Sequence, residues 1–94
     1  MKESGMSAAQ KAAVERIKGM MKEYALISRQ SFLYTQDELL RNMKRDLSKL
    51  DEEYVKKYKI PDGVVKNLAR DIYDALMEKG EYDRAITVAD HYKL

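Results

Sequence analysis

The chain has 94 residues and a mass of 11.0 kDa, enough to bury one modest hydrophobic core and not two. Hydrophobic residues make up 45% and charged residues 36%, with one Pro and four Gly, a balance that excludes collagen-like and low-complexity chains and argues against intrinsic disorder. With no Cys and a single His, the chain has no disulfide, no thiolate metal site, no cysteine nucleophile and no histidine cluster for zinc.

The opening stretch MKESGMSAAQKAAVERIKG lacks the apolar core of a signal peptide, and nowhere do the roughly 18 consecutive apolar residues needed to span a bilayer occur. A cytoplasmic address without membrane attachment is the expectation. The net charge of +2 is uneven: residues 7–30 carry net +3, residues 31–59 net +1 and residues 60–94 net −2, with Lys2 and Glu3 cancelling. A basic front and an acidic back suit either solvated helix faces or a polarised surface that orients a charged partner.

After a disordered tail over residues 1–6, Ser7 followed by Gln10 has the spacing of a capping box. A first helix starts there and carries Val14, Ile17, Met21, Tyr24 and Ile27 or Ser28 at intervals of three and four, widened by Ala9, Ala13 and Met20. It fades around residues 29–31. Thr35 and Glu38 form a second capping box, and Tyr34 and Leu39 occupy the positions of a hydrophobic staple. The second helix then repeats Leu40, Met43, Leu47, Leu50 and Tyr54 with coiled-coil spacing, broadened by Leu39, Val55 and Tyr58. The short link predicts that these two long helices, residues 7–59, pack as an antiparallel hairpin.

Ile60-Pro61-Asp62-Gly63 breaks the second helix, and Asp62 is placed to cap the next. A third, shorter helix presents Val65, Leu68, Ile72, Ala75 and Leu76, and Gly80 supplies the left-handed residue that closes it. A fourth runs from Glu81 or Tyr82 to Tyr92, with Tyr82, Ala85, Ile86, Ala89 and Tyr92 on its apolar face. No alternation of period two is present. The fold class is therefore all-α: a single four-helix, bundle-like domain built from a long hairpin and a short hairpin over residues 60–94.

The segment LARDIYDALMEKGEYDRAITVADHYK, residues 68–93, resembles the two-helix unit of a tetratricopeptide-type repeat, with Gly80 at the turn, Tyr82 two residues on, Ala85 at the small-residue position and then Ile86. In that family Gly and Ala let paired helices approach closely, and arrays of units bind peptides of partner proteins. Tyr73, Tyr92 and Ala69 depart from the repeat's pattern, and the chain holds no second copy. The resemblance implies one tight hairpin docked on the longer one.

Candidate chemistry is sparse. Asp71, Asp74 and Glu78 share one face of the third helix, but a hard cation needs further oxygen ligands from loops, so no metal or cofactor is expected. Asp51, Glu52 and Glu53 read as a polar face, i, i+4 partners for Lys56 and Lys57. His91 follows Asp90, but adjacent helical residues diverge by about 100°, so Asp90 cannot orient the imidazole as a general base. With no phosphate loop or nucleophile motif either, no catalytic residue and no enzyme activity are expected. Arg41, Lys44, Arg45 and Lys49, with the interleaved Tyr54 to Lys59 segment, offer a phosphate-and-stacking surface for nucleic acid, cut by Asp46 and the acidic triplet.

The leading expectation rests on apolar area: two long stripes exceed what two short helices can cover. The chain is thus expected to act without catalysis as a protein-interaction or oligomerisation module, binding another protein or a second copy of itself. Its contact strip would be Met20, Tyr24, Ile27, Phe32, Leu40, Met43 and Leu47. Nucleic-acid binding is the alternative.

Overall fold

A computed structural model describes residues 5–27 and 35–94. Phe32, Tyr34 and the first four residues of the expected tail lie outside the described residues. The rest is helical, as its periodicity predicts: α1 (Ala8–Leu26), α2 (Gln36–Leu50) continuing into a π-helical turn (Asp51–Lys56), α3 (Asp62–Glu78) and α4 (Tyr82–Tyr92). Both capping boxes form. Ser7 Oγ accepts from the Gln10 N–H while the Gln10 side chain accepts from the Ser7 N–H, and Thr35 and Glu38 repeat the exchange.

Helix ends are closed by left-handed residues. Lys59, Gly80 and Lys93 have φ of 54°, 79° and 55°. The next N–H in each case, from Ile60, Glu81 or Leu94, bonds back to the carbonyl of Val55, Leu76 or Ala89, as in a Schellman closure. Asp62 does not cap α3. Pro61 holds the N-cap position, no side chain caps it, and Asp62 and Gly63 join the helix. Absorbing them makes α3 17 residues long against 19 for α1. The rear pair therefore covers more of the front pair than the sequence pattern suggests.

Around the core the spatial order is α1, α3, α4, α2. Gln10 at the start of α1 meets Tyr58 and Lys59 beyond the π turn, so the two front elements run antiparallel. Lys79 beyond α3 reaches Ala25 at the end of α1, and Asp51 after α2 meets His91 and Tyr92 at the end of α4. The pairs α1/α3 and α2/α4 thus run parallel. Each front helix has its own rear partner: α1 lies against α3, and α2 against α4. The π turn shifts the second helix's contacts from α4 to α1, placing Tyr54, Val55 and Tyr58 at the edge of the core.

Ile17, Leu47, Leu50, Leu76 and Val88 are sealed at the centre. Burial of one such side chain stabilises by about 2 kcal/mol, so the five set the scale of the fold's stability. Ala13, Ala25, Ala69 and Ala85 line the helix contacts and allow close approach.

Backbone strain here can be moved in both directions. Gly80→Ala should cost about 1 kcal/mol purely through the positive φ, because nothing lies within 4 Å of the added Cβ. Lys59→Gly should gain up to about 1 kcal/mol as it relieves a left-handed lysine, the looser unfolded chain offsetting part of the gain. Urea unfolding of both variants checks the pair; a loss for Lys59→Gly would contradict the closure.

Candidate functional site

Between the parallel helices α1 and α3 runs an apolar groove of about 410 Å³. Met21 and Ala25 from α1 and Ile72 from α3 form its floor, and Leu26, Leu68 and Ala75 its walls. The trough exists because Ala25 and Ala75 are too small to fill the space between the helices. Leu26 stands 75% exposed at one end. Lys18, Lys22, Lys79 and Asp71 rim the groove, three cations against one anion.

The last carbonyls of α1 are held in trans. Helix α1 has no basic residue in its last turn, where partial negative charge accumulates. Lys79 Nζ donates to the Ala25 carbonyl, and Arg84 Nη1 donates to that of Ile27 and lies 3.4 Å from Glu81 Oε1. Arg84 is only 2% exposed, and Glu81 is buried beside it. A cation so far from water persists only when paired, and the carboxylate and the helix terminus together supply the counter-charge. At the opposite end, Gln10 Nε2 donates to the Tyr58 and Lys59 carbonyls at 2.7 and 3.2 Å.

A second polar cluster sits where the π turn meets α4. His91 Nε2 donates to Asp51 Oδ2, and the Tyr92 hydroxyl donates to Asp51 Oδ1 at 3.1 Å. His91 is therefore oriented by Asp51, forty residues away, and not by Asp90. Asp51 also departs from the expected pairing of the acidic triplet with Lys56 and Lys57; the i, i+4 contact that forms is Lys49 with Glu53 at 3.9 Å. Burial, then the neighbouring Asp51 carboxylate, pushes the Tyr92 phenol well above the ordinary tyrosine range. Tyr24 is raised likewise, by burial first and then by Asp46 and Glu23, and its hydroxyl has no hydrogen-bond partner among the described residues.

The expected contact strip does not lie open. Tyr24, Met43 and Leu47 are core residues, because α3 and α4 cover one front helix each. Met20 and Leu40 are half-buried, and Ile27 is exposed beside Leu26. The exposed apolar surface appears instead at the end of α1 and on the rear hairpin. Helix α4 is turned away from its expected face: Arg84, Thr87 and Val88 are buried, whereas Tyr82 and Ile86 are 56% and 60% exposed. Glu81, Arg84, Ala85, Val88 and Tyr92 make the inward stripe, two of its members charged, so apolar periodicity alone does not pick it out. Of the residues carrying the tetratricopeptide resemblance, Gly80 forms the turn and Ala85 is buried, while Tyr82 and Ile86 are exposed, so the folded hairpin gives that resemblance no support.

Arg41, Lys44, Arg45 and Lys49 are exposed on α2, with Arg45 paired to Asp46 at 3.3 Å. Tyr54 and Tyr58 stack on each other at 6.4 Å, and Arg16 Nε donates to the Tyr54 hydroxyl, so both rings are engaged within the chain. Asp71, Asp74 and Glu78 are exposed, and no metal-holding group of three His, Cys, Asp or Glu gathers among the described residues. No helix among them is long and apolar enough to cross a membrane. Compared with known proteins, the chain matches no family model, no curated protein and no solved structure.

Two outcomes follow from the buried polar groups. Arg84→Met should cost about 3 kcal/mol because it strands the Glu81 carboxylate and the Ile27 carbonyl, whereas Lys79→Met, at an exposed site, should cost less than about 1 kcal/mol. Equal small losses in denaturant titrations would contradict the buried pairing. Because Tyr24 and Tyr92 hold their protons above the unfolded value of 10.0, their contribution is intact below pH 10 and declines as pH rises beyond it. Alkaline titration followed by the phenolate absorbance should show these two ionising only as the chain unfolds, and Tyr24→Phe with Tyr92→Phe should remove that step.

Proposed function

We propose that the chain is a non-catalytic interaction module whose α1/α3 groove receives an amphipathic helical segment. The groove's exposed apolar lining carries this reading: Leu26 is 75% exposed beside the buried Met21, Ala25 and Ile72. Apolar area left in contact with water favours a cover by about 25 cal/mol per Å², and a trough between two helices suits a third helix with anchors one turn apart. The rim adds selectivity. Lys18, Lys22 and Lys79 favour an occupant whose apolar stripe is flanked by Asp or Glu, while Asp71 alone opposes it.

The groove replaces the strip expected on the front helices, and of the residues expected there it keeps only a neighbour, Ile27, beside Leu26. The interior polar cluster around Asp51 serves the fold: its three members satisfy one another where the π turn meets α4.

The test is a titration with a designed helical peptide bearing Leu at i, i+4 and i+7 with Glu on either side, followed by amide shifts in nuclear magnetic resonance spectra. Saturable shifts centred on Met21, Leu68 and Ala75, weakening with added salt, are expected. Absence of saturable shifts, or shifts centred on Arg41 to Lys49, would overturn the reading.

A further inference from the structure

A groove needs an occupant, and a matching one lies on the opposite side of the same chain. Helix α4 presents Tyr82 and Ile86 outward, one helical turn apart, at 56% and 60% exposure. At 100° per residue, Asp83 and Asp90 fall on the same outer face, and both are exposed. Two aspartates give that face net −2, whereas the rim of three lysines and one aspartate gives the groove net +2. Apolar anchors flanked by acid thus face away on α4, and an apolar trough flanked by base faces away on α1/α3.

The dimensions agree as well. The α1 residues lining the groove run from Lys18 to Leu26, about 12 Å along the axis, and the two α4 anchors are separated by about 6 Å. Both anchors fit within one groove. They cannot reach the groove of their own chain, because the inner face of α4 is fixed against α2 and α3 by Arg84, Ala85, Val88 and Tyr92.

We infer that the occupant of the α1/α3 groove is the outer face of α4 from a second copy of this chain, so that copies associate head to tail. This rests on the groove being a docking site and names its partner. Because the two joined surfaces differ, the contact is heterologous: every added copy leaves one groove and one α4 face free, and growth passes beyond a dimer unless a ring closes. Opposite net charges at the junction make association stronger at low salt.

Two full-length variants separate the surfaces. One blocks the groove with Leu26→Asp and Lys22→Glu; the other blocks the α4 face with Tyr82→Ser and Ile86→Asp. All four positions are exposed, and circular dichroism confirms that each variant is folded. In sedimentation velocity the wild-type mass should rise past a dimer with concentration, and each variant alone should associate at least about tenfold more weakly. An equimolar mixture of the two variants should form a one-to-one dimer and nothing larger, since together they retain one intact groove and one intact face.

A monomeric wild type at all concentrations, a variant that alone associates as tightly as the wild type, or a mixture that stays monomeric would each overturn the head-to-tail contact. The peptide titration, run on the α4-face variant, reports on the groove separately. Peptide binding with a monomeric wild type would sink this inference and leave the docking reading standing.

Discussion

The end of α1 governs the rest of the structure. Its last carbonyls carry the negative pole of a 19-residue helix, and α1 supplies no cation of its own to meet it. Lys79 and Arg84 come from the other hairpin to do so. Arg84 is nearly sealed from water with Glu81, and once buried it must stay buried, because an Arg turned outward would strand that carboxylate. Together with buried Ala85, Val88 and Tyr92, this contact locks the rotation of α4. Gln10 performs the matching task at the far end, so both front elements finish on donors from elsewhere in the fold.

The two outward surfaces follow from that lock. Turning Arg84, Thr87 and Val88 inward turns Tyr82 and Ile86 outward. Pairing α1 with α3 in parallel, with Ala25 and Ala75 both in the lining, leaves a trough between them. A basic front and an acidic back, visible as a bare charge count, thereby become a lysine-rimmed groove and an aspartate-bearing helix face. A chain with such a pair of surfaces is suited to binding its like.

Local features were the legible ones. Ser7, Thr35 and Gly80 act through neighbours a few residues away, and their caps and turn formed where the spacing put them, which is why the all-α, four-helix architecture could be read directly. What could not be read depends on distant partners. Asp51 falls four residues after Leu47, in phase with the core, yet only His91 and Tyr92 make that position tolerable for a carboxylate. The burial of Arg84 has the same cause: its counter-charges are Glu81 and the end of a helix nearly sixty residues away. The contact strip was misplaced because the stripes of α1 and α2 were weighed by length alone, whereas α3 lies against α1 and α4 against α2. Tyr24, Met43 and Leu47 are thus enclosed, and the surplus apolar surface moved to α4 and to the tip of α1.

The most direct measurement is nuclear magnetic resonance of two α4 side chains in one sample: solvent exchange of the Arg84 guanidinium protons, and relaxation of the Ile86 methyls by a soluble paramagnet. A slowly exchanging guanidinium beside strongly relaxed Ile86 methyls is the predicted result. Rapid guanidinium exchange with shielded Ile86 methyls would mean that α4 is rotated the other way, and the account of both surfaces would fail.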